Sequence, residues 1–429
     1  MPLLYDLGLG LYHAGIRLAA PFHPKARRWV AGRHGLWERL QARRSELNGC
    51  LWMHCASVGE FEQGLPVLEA LKADRPDLPV LVTFFSPSGY EARRHHPIAT
   101  HVEYLPADGA ARARRMIGLV QPKAVLWVKY EFWYHWLSAF RRARVPVFLV
   151  SGIFRPEQPF FRWWGRTHRR MLACFERLFV QDEASRDLLA TIGVGQVTVS
   201  GDTRYDRVDA IARTAGVVPI GKAFQRAMEG PVLIAGSTWP QDEQVIATAL
   251  GRMSRPPRLL LVPHELDEAG LQRAERMMPK PVVRWSHLEE LLAAPSAPAG
   301  DGPPDEDPLF ARTLLVDRMG LLARLYQHGS IAYVGGGFGD GIHSTLEAAA
   351  WGLPILFGPE HRKFAEAKAL LEAGGAREVR DAEGLQHALT GLIQDAGIRE
   401  AAAVASLGVV REGVGATRRI AAAVAPFLG

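Results

Sequence analysis

A chain of 429 residues with 48% hydrophobic and 22% charged side chains is too long for one ordinary core and too apolar to be disordered, so two globular domains are expected. Three cysteines (Cys50, Cys55 and Cys174) exclude a disulfide framework and a cysteine-built zinc site, and suit a reducing compartment. The net charge of +6 is concentrated at one end, where residues 1–50 hold eight Lys and Arg against Asp6, Glu38 and Glu46.

Residues 2–22 are apolar but carry Asp6, His13 and Arg17, which makes them a poor full membrane span. The charges follow the apolar run and no small-residue cleavage site closes it, so it is not a secretory signal. An apolar helix followed by a basic cluster with Trp29 and Trp37 suits an anchor on an anionic membrane surface, on the cytoplasmic side. The alternative is a first helix packed on the protein's own core with a solvated basic face.

From residue 51 onward, short apolar runs alternate with helical stretches. Strands are expected at 51–54, 80–85, 101–105, 124–130, 145–150, 178–181 and 197–200. A second series follows at 232–235, 259–262, 282–285, 314–316, 331–334 and 355–357. This alternation predicts right-handed βαβ units and two parallel sheets. We place the domains at 1–48 (N-terminal membrane-associated segment), 49–210 and 211–410, with a C-terminal helix at 411–429 packing across both. Residues 293–308, rich in Ala, Pro, Gly and acids, read as a surface loop.

The first strand runs into His54-Cys55-Ala56-Ser57-Val58-Gly59-Glu60, a strand-to-helix turn that puts Glu60 in the first turn of a helix. An acid there serves the helix start or acts as a general base, and position alone favours the first. Lys129-Tyr130-Glu131-Phe132-Trp133 closes an apolar strand, and a lysine and an acid so placed are costly unless paired or functional. Ser151 to Arg155 closes the next. In residues 160–170, aromatics interleave with arginines, among them Arg162, which suits either a phosphorylated amphipathic ligand or a solvated helix face.

In the second half Gly335-Gly336-Gly337-Phe338-Gly339-Asp340-Gly341 leads to His343, Ser344 and Glu347. Glycines let backbone approach a ligand, and a helix expected from Ser344 would offer free N–H groups to phosphate and place those three side chains on one face. The pattern is neither a dinucleotide fingerprint nor a P-loop. Ser237 and Thr238, with Asp242 and Glu243 opening the next helix, bind phosphate or cap the helix, and capping is the simpler role. Met319 stacks on a base or fills a core.

Taken in order, His54–Glu60, the strand end at 129–133, Gly201-Asp202-Thr203-Arg204-Tyr205-Asp206, Asp317-Arg318-Met319-Gly320 and the turn 341–347 resemble the 3-deoxy-D-manno-octulosonic acid (Kdo) transferases of lipopolysaccharide synthesis. The resemblance covers nearly the whole chain. It implies an α/β GT-B glycosyltransferase: two Rossmann-like domains with parallel sheets facing across a cleft, with no cofactor and no metal. The donor would be CMP-Kdo. The acceptor would be the tetra-acylated, phosphorylated glucosamine disaccharide of lipid A, met at the cytoplasmic face of the inner membrane, and nucleic acid would be no partner. Glu60 would be the general base of a single inverting displacement, with Glu131 a second important acid. The donor would contact Ser237, Pro263, His264, Arg318, Met319, Gly320, Gly341, His343, Ser344 and Glu347. The acceptor would contact Ser57, Gly59, Lys129, Arg155 and Arg162. This chain departs from many members in having Pro-His-Glu at 263–265 for Pro-Arg-His, and Ser344 for Asn. Another GT-B transferase, a sugar-nucleotide epimerase, and a non-catalytic lipid- or nucleotide-binding protein are the alternatives.

Overall fold

A computed structural model describes residues 2–293 and 307–429, with side chains from Tyr5 onward, so all but the edges of the expected 293–308 loop lies outside the described residues. Two seven-stranded sheets, each wholly parallel, carry the chain. The first contains β1 (Leu51–Cys55), β2 (Val80–Phe84), β3 (His101–Tyr104), β4 (Ala124–Val128), β5 (Val147–Gly152), β6 (Arg177–Val180) and β7 (Val197–Val199), in the order β3-β2-β1-β4-β5-β6-β7. The second contains β8 (Val232–Thr238), β9 (Arg258–Pro263), β10 (Val282–Arg284), β11 (Thr313–Leu315), β12 (Ile331–Val334), β13 (Ile355–Phe357) and β14 (Ala376–Glu378), in the order β10-β11-β9-β8-β12-β13-β14.

The central strands β1, β2, β4 and β5 are buried at every position, as expected where helices cover both faces of a parallel sheet. Thirteen strands lie where continuous apolar runs put them, with ends shifted by up to three residues. The strand expected at 124–130 stops at Val128 because Lys129 adopts φ +56 and turns the chain. The strand expected from 145 starts at Val147, since Pro146 has no N–H to donate. β14 was not expected: Ala376-Arg377-Glu378 has no apolar run, and it forms only as a polar edge beside β13.

The chain forms two compact units. One comprises the chain through Arg207 together with Gly413–Gly429, and the other is Val208–Glu412. The C-terminal helix Ala416–Val424 has its buried face in the first unit, where Ile420, Val424 and Leu428 join the core of Leu51, Phe61 and Leu65. Asp206 holds it there by accepting from the N–H groups of Gly415 (2.8 Å) and Thr417 (3.0 Å). Thr203 donates to the Gln63 carbonyl at 2.6 Å. The segment Gly201–Asp206 thus works as a latch that closes the first unit.

The N-terminal helix Pro2–Ala19 carries apolar residues on two opposite faces. At about 100° per residue, Leu7, Leu11, Ala14 and Leu18 form one stripe, and Tyr5, Leu9, His13 and Ile16 the opposite one. The inner stripe docks on the first unit, with the Tyr5 hydroxyl donating to Asp108 at 2.7 Å and the His13 ring stacked on Trp29. The outer stripe is exposed, Leu18 at 75%, and the helix is followed by Phe22 at 89%. Among the described residues no helix is long and apolar enough to cross a membrane.

Candidate active site

Each sheet has one place where consecutive connections leave in opposite directions. In the first it lies between β1 and β4, and in the second between β8 and β12. Open α/β sheets bind ligands outside the carboxyl ends of the strands at such a switch point. The loops after β1 and β4 carry Glu60 and Glu131, and the loops after β8 and β12 carry Ser237 and the glycine-rich turn.

In the first unit, Ser57 is the N-cap of the helix Val58–Asp74, its hydroxyl accepting from the Glu60 N–H. The Glu60 carboxylate turns back onto the Ala56 N–H (2.5 Å), so it closes the capping arrangement and stays at the switch point. A Cβ at Gly59 would meet nothing within 4 Å, so the surface beside Glu60 is open. Burial pushes the Glu60 pKa up to about 7. The Glu131 charge adds to the rise, while the Ala56 and Ser57 hydrogen bonds and the Lys129 ammonium oppose it. A carboxylate with that pKa is matched to accepting a proton near neutrality.

Glu131 is held from below. Its Oε2 accepts from Trp133 Nε1 (2.5 Å) and lies 3.5 Å from Nε2 of the fully buried His54, and its backbone carbonyl accepts from Trp127 Nε1. His54 Nδ1 contacts Thr83 Oγ1 at 3.0 Å, which also accepts from Trp52 Nε1 at 2.8 Å. Lys129 and Ser151 both sit at left-handed φ, so the chain turns sharply after β4 and within the last residues of β5. Arg155 is exposed beyond β5, and its charge, like that of Glu60, is felt by the Tyr130 phenol, which burial chiefly pushes up. Glu60, Ser57 and Gly59, Lys129 and Glu131, and Arg155 therefore follow the carboxyl ends of the adjacent strands β1, β4 and β5. Arg162 stands apart on the surface, its Nε donating to the Glu157 carbonyl, with Trp163 and Trp164 exposed beside it.

In the second unit the buried Asp242 organises the glycine-rich turn. Its Oδ2 accepts from the Gly336 N–H (2.8 Å) and the Trp239 N–H (2.9 Å), and its Oδ1 from the Tyr333 hydroxyl (2.8 Å). β8 and β12 approach so closely that a Cβ on Gly335 would lie 2.6 Å from Thr238 Cα. Trp239, His264 and His343 form a stack, with centroids 4.6 Å apart from Trp239 to His264 and 4.4 Å from His264 to His343. Trp239 Nε1 donates to His343 Nε2 at 3.0 Å. That bond needs an unprotonated nitrogen, and burial, then the neighbouring His264, lowers the His343 pKa accordingly. The stack ties together the ends of β8, β9 and β12. Pro263 ends β9 just before it.

Two expectations are corrected here. The helix after the glycines begins at Leu346, not Ser344, and spans five residues, so His343 and Ser344 lie in the irregular chain before it rather than on a helix face with Glu347. The reason is that His343 is bound to the Gly335 carbonyl and Ile342 to that of Glu360, which holds this segment across the turn. Nor do Ser237 and Thr238 cap the next helix: its N-cap is Trp239, Ser237 has φ +52, and the Thr238 hydroxyl faces Glu243 at 3.4 Å. Arg318, Met319 and Gly320 follow β11, two strands from β8. Arg318 pairs with Glu289 at 3.1 Å, and Met319 is 79% exposed, so it is not core filler. Glu347 lies near the buried Tyr326 hydroxyl, whose pKa burial and then this charge both raise. The sequence reading missed the supporting residues His54, Thr83, Trp133, Trp239 and the role of Asp242. An acid three residues into a helix was the only available signal for the last.

A family model described as 3-Deoxy-D-manno-octulosonic-acid transferase (kdotransferase) matches residues 32–207. The chain is 28% identical over 457 aligned positions to the 3-deoxy-D-manno-octulosonic acid transferase of Bordetella pertussis, spanning 99% of this chain and 100% of that protein. It is 28% identical over 352 positions to that of Aquifex aeolicus (strain VF5), covering 80% and 86% respectively. Among solved structures, the UDP-GlcNAc 2-epimerase from Neisseria meningitidis bound to UDP-GlcNAc matches with a TM-score of 0.58 at 15% identity, over 86% of this chain and 98% of that one. This last likeness is one of fold, the GT-B arrangement of two Rossmann-like domains. With two parallel sheets, an acid pair at one switch point and a glycine-rich turn at the other, the chain is similar over its whole length to a Kdo transferase, and its residues 32–207 match the Kdo transferase family model.

Proposed function

We propose that the protein transfers Kdo from CMP-Kdo to the acylated, phosphorylated glucosamine disaccharide that precedes lipid A, by a single inverting displacement with Glu60 as general base and no cofactor. The observation that carries this reading is the Glu60 carboxylate, fixed at the switch point and raised to about 7. A sugar hydroxyl of the acceptor attacks the anomeric carbon of Kdo while its proton passes to Glu60. The bond from that carbon to the CMP phosphate oxygen breaks, and the electron pair leaves with CMP. CMP is already a good leaving group, so the chief need is a base on the incoming side. Glu131, braced by Trp133 and His54, adds its charge to the burial that raises the Glu60 pKa, and stands beside the acceptor with Lys129, Ser57, Gly59 and Arg155. The second unit takes the donor, with the Trp239–His264–His343 stack, Ser237 and the Asp242-held turn as its floor. Incubation of the full chain with CMP-Kdo and the lipid acceptor, followed by mass spectrometry of the lipid, tests the reading. CMP release without a Kdo-bearing lipid would overturn it.

The exposed stripe Leu7–Leu11–Leu18 with the basic residues after it supports a peripheral location on the cytoplasmic face of the inner membrane. Leu7→Gln, Leu11→Gln and Leu18→Gln together leave the inner stripe intact. The triple variant is expected to lose sedimentation with anionic vesicles at moderate salt, and unchanged sedimentation would refute the anchor.

A further inference from the structure

The strands β1 and β2 are buried at every position, yet they set a histidine and a threonine opposite each other, His54 and Thr83, both with no exposure to solvent. A buried imidazole and hydroxyl are costly unless their polar atoms are used. The hydrogen bonds around them run one way. An indole N–H only donates, so Trp52 Nε1 gives its hydrogen to Thr83 Oγ1 at 2.8 Å. The hydroxyl keeps its own hydrogen to give, and His54 Nδ1 faces it at 3.0 Å. An imidazole that accepts at Nδ1 carries its hydrogen on Nε2. Nε2 has no hydrogen-bond partner in the fold, and the acid it faces is Glu131, whose Oε2 lies 3.5 Å away. The Trp127 ring packs 4.4 Å from the imidazole, centroid to centroid, and limits its rotation.

The opposite tautomer costs twice. Its Nδ1–H would donate to the Thr83 carbonyl at 3.1 Å or to the hydroxyl. Either way the hydroxyl hydrogen loses its acceptor, and a nitrogen lone pair turns onto the Glu131 carboxylate.

We propose that Thr83 and His54 are positioning residues of the acid pair: the Thr83 hydroxyl selects the Nε2–H tautomer of His54, and that hydrogen holds Glu131 as a carboxylate beside Glu60. The kinetic consequence rests on Glu60 as the base proposed above, and the tautomer does not. Lys129 and Tyr130 face the acids from the loop after β4, Cys55 from the end of β1 and Tyr12 from the N-terminal helix. Arg155, Asp182 and Arg204 act on Tyr130. Burial before any charge raises the Cys55 thiol and both phenols, so these stay neutral near neutrality and Lys129 is the opposing charge. None of these groups bonds to the Thr83 hydroxyl, so its removal leaves them in place.

Thr83→Val keeps the shape of the side chain and removes the hydroxyl. Nδ1 then carries the hydrogen to reach the carbonyl at position 83, Nε2 presents a lone pair, and the Glu131 charge withdraws or is neutralised. Its lift on Glu60 falls.

Two measurements on the full chain test this. Long-range ¹H–¹⁵N correlation of protein carrying ¹⁵N-histidine, with the His54 signal identified by its loss in His54→Gln, is expected to show hydrogen on Nε2 in the parent and on Nδ1 in Thr83→Val. In profiles of kcat/KM against pH, Thr83→Val should move the acid limb to lower pH by about half a unit or more, the direction expected of Glu131→Gln, and should add nothing to the shift of Glu131→Gln when the two are combined. Thr83→Ser keeps the hydroxyl and should retain the parent limb and tautomer, and CMP affinity at the parent level reports that each variant is folded. Hydrogen on Nδ1 in the parent overturns the proposal. So does a Thr83→Val limb that stays in place while that of Glu131→Gln moves, or a shift that adds in full in the double variant. A Glu60→Gln enzyme with parent turnover would sink the general-base reading alone, because the nitrogen signals decide the tautomer without turnover.

Discussion

Glu60→Gln is expected to lower Kdo transfer by about 10²–10⁴-fold, the range that a positioned general base supplies, while leaving CMP affinity as it was. Gln keeps an oxygen to accept from the Ala56 N–H, so the helix start is preserved and only the proton acceptor is lost. Turnover within threefold of the parent would remove Glu60 from the reaction. The parent's kcat/KM should climb with pH and reach half its plateau near 7, because the active form is the carboxylate and is lost as pH falls through that value. Glu131→Gln takes away a like charge that raises the Glu60 pKa, so the acid limb should move to lower pH. An unmoved limb would mean that another group titrates. Stability carries the opposite sign. A carboxyl raised from 4.5 to about 7 on folding loses native stability as pH rises between those values. At pH 8 the Gln variant should therefore be more stable, by about 2 kcal/mol after allowance for partial solvation, and near parity with the parent at pH 4. Thermal melts at the two pH values check this.

Asp242→Ala should be the most damaging change in the second unit. It strips three donors, the N–H groups of Gly336 and Trp239 and the Tyr333 hydroxyl, of their acceptor in a place with no access to water. A loss of about 3–5 kcal/mol is expected in denaturant unfolding, with CMP binding abolished, because the turn and the stack both hang on this carboxylate. Asp242→Asn has one acceptor oxygen where three donors need two, and its NH₂ group faces a donor. It should fall between parent and Ala rather than rescue. An Ala variant with parent stability and parent CMP affinity would mean that the turn is held by its glycines alone.

The chain by itself determined the class of the fold and most of its strands. Apolar runs of four to six residues bounded by turn residues are local signals, and a fully buried parallel strand leaves one wherever it occurs. It also determined that Glu60 opens a helix, since Ser57 at the cap and an acid three residues later form a pattern within one turn. Where the signal was weak the reading failed. β14 has no apolar run because it is an edge, and the helix after Gly341 starts late because its first residues are tied to Gly335 and Glu360 across the turn.

What only the tertiary structure decided is which loops meet. Strand order brings Glu60 together with Glu131, 71 positions apart, and stacks Trp239, His264 and His343 from three separate loops. The same holds for the two faces of the first helix, one docked through Tyr5 and His13 and one left open. Composition records how much apolar surface a segment has. What that surface covers depends on neighbours distant in sequence, and so does the burial that raises the Glu60 pKa.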